Sequence, residues 1–162
     1  MFTLIFFSNA SLVVLGECPP GFFHHEESCY VILNVSTSWA DAMQLCEVFG
    51  ASLTTVETQH EDVFIKGMLH KLTASIHEKE VWLGGTDMLN EGEWLWAKTF
   101  QQIAYTRWAP NEPNNGLAGK NQHCLGMERD NDFKWDDFYC SKLATPFCER
   151  PMETNGGEEL LG

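Results

Sequence analysis

Six cysteines constrain the fold of this chain more than any other feature of its sequence. They are Cys18, Cys29, Cys46, Cys124, Cys140 and Cys148. An even number of cysteines behind a segment typical of secretion signals indicates a disulfide framework, in which each bond would contribute about 2–4 kcal/mol. Because no two cysteines are spaced as C-x-x-C, neither a zinc ribbon nor a redox motif is indicated. Spacing alone leaves roughly 15 pairings open.

The first sixteen residues, "MFTLIFFSNASLVVLG", carry no charged side chain. Their length and apolar content predict a signal peptide over 1–16, although the positive charge usual at the start of such peptides is missing. The alternative is a buried apolar N-terminal strand. The segment is too short, and too interrupted by "SNAS", to be a membrane span, and we expect none elsewhere. We therefore expect a secreted protein, in which Asn34 of the triplet "NVS" is a candidate glycosylation acceptor.

Composition and motif content narrow the functional classes. The 162 residues are enough for one domain, and 44% hydrophobic residues are enough for a packed core. The formal net charge of −13 comes without any cluster of lysine or arginine, so we expect no nucleic-acid partner. An acidic surface suits a protein that collects cations. Nucleophile-elbow, P-loop, dinucleotide-binding and helical H-E-x-x-H patterns are all missing, so we expect no enzyme.

Helix signals fall early in the chain. A helix is expected within 36–50, where Ser38 is the candidate N-cap and apolar residues recur at helical spacing. A second is expected over 58–72, where Thr58 and Glu61 have the spacing of a capping box.

Strand and loop signals fill the remainder. Short aromatic or β-branched strands are expected around Cys29 and at 51–56, 81–87, 93–97, 103–108, 134–140 and 145–150. Residues 110–119 are rich in Pro, Asn and Gly and predict a long loop. The pattern indicates an α+β domain over 17–150, followed by a flexible acidic tail over 151–162.

Oxygen-bearing side chains are concentrated in three stretches of the second half. These are "TDMLNE" with Asp87 and Glu91, "NEPNN" with Glu112, Asn114 and Asn115, and "WDD" with Asp136 and Asp137. Calcium takes about 6–8 oxygens from carboxylates, amides and carbonyls, whereas zinc prefers nitrogen and sulfur. A solvated turn would explain each stretch by itself. Together, on the loops of one disulfide-linked domain, they predict a calcium site.

Four signatures, taken together, make the chain resemble the C-type lectin-like domain. They are "WLGG" at 82–85, "EPN" at 112–114, "WDD" at 135–137 and the six cysteines. Within that family, "WLGGTD", "GEWLW", "WAPNEPNN" and "HCLGMERD" are most similar to secreted perlucin-like lectins of molluscs. The resemblance implies the long form of the fold, with two helices, small antiparallel sheets and a long calcium-binding loop. It also implies the disulfides Cys18–Cys29, Cys46–Cys148 and Cys124–Cys140.

The same resemblance implies a calcium ion that binds sugar hydroxyls directly. Its ligands would be Glu112, Asn114, Gln122, Asp136 and Asp137, with a cis proline in "EPN" orienting the first two. Family members usually carry Glu at the position of Gln122 and Asn at that of Asp136, so acid and amide have exchanged places. We expect calcium and sugar binding to be retained. The alternative is that Gln122 is a lost ligand and calcium binding is weakened.

A second calcium ion would use Asp87, Glu91 and Asn115. Gln122 and His123 stand where acids are usual in the family, and fewer charges imply weaker binding. Full occupancy is therefore not expected, and the alternative is that Asp87 and Glu91 are turn residues. The five tryptophans of the second half of the chain are expected in the core.

The triplet "EPN" implies glycans of the mannose, fucose or N-acetylglucosamine class, and the following loop lacks the aromatic residue common in galactose sites. The predicted function is recognition of microbial surface glycans in innate immunity. The alternative is an acidic extracellular matrix protein that binds calcium carbonate mineral, with little or no sugar binding. Sugar competition would separate the two, because a mineral binder is indifferent to mannose.

Overall fold

The computed structural model describes residues 16–116 and 121–153. The signal peptide expected at 1–16 lies outside these residues apart from Gly16, and so does the expected tail beyond Glu153. The described chain forms β1 (Phe23–His25), β2 (Ser28–Ile32), α1 (Trp39–Val48), β3 (Ser52–Leu53), α2 (Gln59–Leu72), β4 (Glu80–Thr86), β5 (Leu95–Trp96), β6 (Cys124–Glu128), β7 (Lys134–Phe138) and β8 (Thr145–Pro151). None of its helices is long and apolar enough to cross a membrane. The predicted α+β class is confirmed.

Side-chain caps set where both helices begin. Ser38 accepts a hydrogen bond from a first-turn amide of α1 at 3.3 Å, and Thr58 accepts one from the Glu61 amide at 3.2 Å. The Glu61 carboxylate does not accept the reciprocal hydrogen bond from the Thr58 amide that would complete a capping box. It accepts from the Glu57 amide at 2.8 Å and from the Tyr30 hydroxyl at 2.7 Å. The predicted capping box is therefore half formed, because Glu61 instead links α2 to β2.

All eight strands are connected through pairing. The order is β1-β2-β8-β4-β6-β7, with β3 beside β8 and β5 beside β4. Every pairing is antiparallel except that of β4 with β8, which is parallel. This parallel pairing joins the half of the domain that contains the β1–β2 hairpin and the helices to the half that carries the loop over 109–116, called the acidic loop below because it contains Glu112 and lies against the aspartates of β7. The small antiparallel sheets that we expected are thus linked into one.

Two strand predictions differ from the structure. Residues 103–108, predicted as a strand, form none, and Trp108 makes only an isolated bridge to Trp135. Strand β6 was not predicted. Its first four residues are all buried, so hydrophobicity does not alternate along it, and "CLGME" contains no β-branched residue. A Cβ at Gly126 would lie 2.9 Å from a carbonyl oxygen of β4, so close strand packing requires glycine there.

The core packs around β4. Trp82, Trp94, Trp96 and Trp135 are buried and Trp108 packs against them in part, as expected. Both glycines of "WLGG" lie so close to neighbouring strands that a side chain would crowd them. A Cβ at position 85, for example, would lie 2.5 Å from a leucine side chain of β6.

Three disulfides pair as the resemblance implied: Cys18–Cys29, Cys46–Cys148 and Cys124–Cys140. The first holds the N-terminal segment to β2. The second links α1 to β8 across 102 residues of sequence. The third joins the start of β6 to the segment after β7, and so holds together the two strands nearest the acidic loop.

Candidate cation-binding site

The loop over 109–116 leaves the core beside β7. Trp108 bridges to Trp135 in parallel register, and the Ala109 amide donates to the Trp135 carbonyl at 2.8 Å. The Glu112–Pro113 peptide bond is cis, as the resemblance implied. Because β7 continues from Trp135 into the two aspartates of "WDD", the loop and the strand bring their carboxylates to one place.

Asp137 holds this loop in its conformation. Its carboxylate is buried, and its two oxygens accept hydrogen bonds from the amides of Asn114 at 3.0 Å and Asn115 at 2.7 Å. The Asn114 side-chain oxygen accepts in turn from the Gly116 amide at 2.7 Å. Side-chain to backbone hydrogen bonds of this kind replace regular secondary structure in the loop.

Glu112, Asp136 and Asp137 form a carboxylate cluster, in which one oxygen from each lies within 4.8 Å of the others. Within residues 16–116 and 121–153, no basic side chain forms an ion pair with any of them. Burial, followed by the charge of Asp136, raises the pKa of Glu112 to about 7. Burial, followed by the charge of Asp137, raises the pKa of Asp136 to about 6. The carboxylate cluster thus concentrates negative charge in a partly buried place.

The donor chemistry of the carboxylate cluster fits calcium. The Oε2 atom of Glu112 is buried and has no hydrogen-bond partner among the described residues. A buried carboxylate oxygen of this kind is stabilised by a cation, and an all-oxygen donor set favours calcium over zinc. Asn114 still has a free lone pair on its side-chain oxygen after accepting from the loop amide.

Gln122 is placed near this loop by its backbone. Its amide donates to the side-chain oxygen of Asn115 at 2.8 Å. The Gln122 side chain itself makes no hydrogen bond to any residue that the structure describes. The structure therefore brings together the carboxylates of Glu112, Asp136 and Asp137, and the Asn114 amide donates to Asp137. The backbone of Gln122 is bonded to the same loop, but its carboxamide makes no hydrogen bond to a described residue.

A second acidic group surrounds His123, at the other predicted calcium position. The Nδ1 atom of His123 lies 2.9 Å from Asp87 Oδ1 and 3.5 Å from Glu91 Oε2. The other oxygen of the buried Asp87 accepts from the Gly92 amide at 2.9 Å. Both oxygens of Asp87 are thus partnered by described residues, and the second calcium site at Asp87, Glu91 and Asn115 stays a prediction. His123 occupies a position where acids are usual in the family, and its pairing with Asp87 was not predicted from the sequence.

These features together have the architecture of a C-type lectin fold: two helices, a sheet joined by one parallel pairing, three disulfides and an acidic loop with a cis proline. The chain matches the family profile "Lectin C-type domain" over residues 35–150, and it belongs to the C-type lectin family.

Relatives of known name and structure agree with this assignment. The chain is 34% identical over 134 residues to Perlucin from the mollusc Haliotis laevigata, covering 82% of this chain and 83% of Perlucin. It is 26% identical over 145 residues to the galactose-specific lectin nattectin from Thalassophryne nattereri, covering 90% and 87%. The crystal structure of the cow CD23 carbohydrate-recognition domain, determined in the presence of a GlcNAc2Man3 oligosaccharide, superimposes with a TM-score of 0.73 at 26% identity, covering 86% of this chain and 99% of that domain.

The resemblance to C-type lectins of the perlucin type is therefore confirmed. Members of this family are generally carbohydrate-binding proteins rather than enzymes, and their domains generally bind calcium.

Proposed function

We propose that this protein is a secreted, calcium-dependent lectin with mannose-type selectivity. The observation that carries the proposal is the carboxylate cluster of Glu112, Asp136 and Asp137 beside the cis proline of "EPN". One of its buried oxygens has no hydrogen-bond partner within the described parts of the chain. Three disulfides among the described residues suit an oxidising, extracellular compartment.

The residues of the site would have two roles, to neutralise the charge of the ion and to hydrogen-bond the sugar. Glu112, Asn114, Gln122, Asp136 and Asp137 would hold the ion, with three carboxylate charges against two on calcium. A bound calcium ion supplies the positive centre to which two neighbouring sugar hydroxyls add as ligands. The carboxylates of Glu112 and Asp136 would then accept hydrogen bonds from the two hydroxyls, and the side-chain amides of Asn114 and Gln122 would donate hydrogen bonds to the remaining hydroxyl lone pairs.

The relatives include proteins described with galactose and with a mannose-containing oligosaccharide, so the sugar class rests on the site itself. "EPN" supports mannose, fucose or N-acetylglucosamine, and we place the targets among the surface glycans of microbes. The exchange of acid and amide at Gln122 and Asp136 preserves one donor and one acceptor for the second hydroxyl, which supports retained binding.

Affinity chromatography on mannose and galactose resins in calcium tests this proposal. The disulfide-bonded chain is compared with Glu112→Gln, which removes one charge at nearly constant size. Glu93→Gln is the matched control, because Glu93 is exposed and lies outside the carboxylate cluster. We expect wild type and Glu93→Gln to bind mannose resin and to elute with either a chelator or free mannose. Glu112→Gln should pass through unretained.

Retention on galactose alone would contradict the selectivity while leaving a lectin. Retention of Glu112→Gln equal to wild type would contradict the site. Failure of the folded protein to bind either resin would contradict the lectin function.

An acidic matrix function is the second candidate, and the formal charge of −13 favours it. Such a protein would adsorb to calcium carbonate through many surface carboxylates. Adsorption that free mannose does not reduce, and that Glu112→Gln leaves unchanged, would support this function, particularly if the mannose resin retains nothing.

A further inference from the structure

A third group of metal-ligating side chains, apart from the carboxylate cluster and the group around His123, lies beside the edge strand β1, at the opposite end of the strand order from β7. His25 ends β1, Glu26 lies in the turn that leads to β2, and His60 lies in the first turn of α2. One ligand atom from each of the three lies within 4.8 Å of the other two. The carboxylate cluster contains no histidine, so the two groups differ in chemistry as well as in place.

Packing holds one imidazole of this group in position. The His25 ring stacks on Phe64 of α2 with ring centroids 3.8 Å apart and planes 4° from parallel. Its Nε2 atom is buried and has no hydrogen-bond partner in the described part of the chain. An unpartnered buried ring nitrogen is uncommon, because a lost hydrogen bond is costly there. A metal ion would give it a partner.

The other two side chains approach the first from the turn and from the helix. The Nδ1 atom of His60 lies 3.0 Å from Glu26 Oε1, and the His60 and Glu26 side chains are 71% and 64% exposed. The Glu26 backbone has a φ of 50°, and its carbonyl accepts from His24 Nε2 at 2.7 Å. A surface ion pair of this exposure contributes little stability by itself. Both side chains remain free to adjust their rotamers around an ion.

The surroundings attract cations. A cavity of about 380 Å³ adjoins the group. Its lining, as far as the described residues form it, contains no lysine or arginine and five glutamates: Glu26, Glu27, Glu57, Glu61 and Glu149. The positive end of the α2 dipole is offset here by the negative charge of Glu61 in the first turn of the helix.

We propose that His25, Glu26 and His60 bind a divalent transition-metal cation of the zinc class. Two imidazoles and one carboxylate form a donor set that suits zinc, copper or nickel and disfavours calcium. Three protein donors leave at least one position of a tetrahedral ion for water or for a donor from a partner. The protein would then carry two cation sites of different selectivity.

Calorimetric titration of the disulfide-bonded chain with zinc chloride tests this site. Saturating calcium is present throughout, so that the carboxylate cluster is filled and zinc reports only on other sites. His60→Gln and Glu26→Gln remove one ligand each, and His77→Gln is the control because this histidine is exposed and outside the group. We expect one zinc ion per chain. The zinc Kd should rise about tenfold or more in the two ligand variants and should stay within about twofold of wild type in the control.

Zinc affinity unchanged by His60→Gln would overturn the proposal, as would zinc binding that only Glu112→Gln removes. Zinc-edge X-ray absorption of the loaded protein gives a second, independent readout. Two imidazole nitrogens at about 2.0–2.1 Å are expected, and a shell of oxygens alone would show that the ion binds elsewhere. Because the substituted side chains are exposed, folding is expected to persist, and near-ultraviolet circular dichroism checks it.

Discussion

Lowering the pH should weaken calcium binding at the carboxylate cluster far more steeply than ordinary carboxylates allow. The pKa of Glu112 is raised from 4.5 to about 7, and that of Asp136 from 3.8 to about 6. Calcium must displace a proton from each group that is protonated. Competition by two protons with these pKa values lowers the apparent affinity on the order of 100-fold between about pH 8 and about pH 5.5. Carboxylates with ordinary pKa values would change it less than about 1.5-fold over the same range.

The same shifts fix the sign of the effect on stability. Because the two pKa values are raised by folding, the ion-free folded protein binds more protons than the unfolded chain between the ordinary and the raised values. Their contribution to the free energy of unfolding is therefore present below about pH 4 and is lost as the pH rises through about 7. Calcium bound at the proposed site would reverse this trend, so the increase in Tm on adding calcium should be largest above pH 7 and small near pH 5.5.

Calorimetry gives the calcium Kd across this range, and thermal unfolding with and without calcium gives the change in Tm. Asp136→Asn is the informative variant: it weakens binding at high pH but also removes a repulsive charge, so the remaining pH dependence should be shallower than in wild type. Glu93→Gln should follow wild type. A Kd that changes less than about threefold between the two pH limits would refute the reasoning, because two groups with the raised pKa values must compete with calcium.

Three further predictions concern the exchange at the site, the disulfides and the core. If acid and amide have exchanged roles, Asp136→Asn alone should weaken calcium binding about tenfold or more, and adding Gln122→Glu should restore most of the affinity. If the calcium titration instead shows that the second substitution adds to the loss, Gln122 is not a ligand. Replacing Cys46 and Cys148 by serine should lower the free energy of unfolding in urea by about 4–5 kcal/mol, since the closed loop is on the order of 100 residues, and a loss below about 1 kcal/mol would contradict the entropic argument. Gly126→Ala should cost about 1–3 kcal/mol in the same assay, because its Cβ would crowd a β4 carbonyl, and an unchanged midpoint would show that the strands can separate at no cost.

Local signals in the sequence were sufficient for features whose determinants are close in the chain. Ser38 and Thr58 mark both helix starts because a capping side chain acts within three residues. Strand β6 could not be recognised in this way, since burial on both faces removes the alternation that identifies a strand. The segment over 103–108 was wrongly predicted to be a strand because it is rich in aromatic residues. These residues do pack against the core, but their backbone is not in a strand.

The candidate site was predictable in its residue types and only partly in its contacts. Motifs placed Glu112, Asp136 and Asp137 in one site, and the structure brings their carboxylates together. Their role as calcium ligands, with that of Asn114 and Gln122, remains a prediction. The group around His60 was not foreseen, because it depends on a tertiary contact between segments distant in sequence and forms no local motif. Asp87, Glu91 and His123 were assigned to one site from the sequence, but the pairing of His123 with Asp87 was not predicted.

Asp137 limits what mutagenesis of this site can show. Its two oxygens accept the amides of Asn114 and Asn115, and these bonds hold the loop that carries Glu112. A substitution at Asp137 therefore removes a charge and releases the loop together, so lost calcium binding in that variant does not identify a ligand. Glu112 and Asp136 give cleaner tests, because Glu112 Oε2 has no hydrogen-bond partner in the described chain and neither carboxylate accepts a bond from the loop amides that Asp137 holds. If Asp137→Asn lost calcium binding while Glu112→Gln and Asp136→Asn kept it, the loop, rather than the charge of the cluster, would be the determinant of the site.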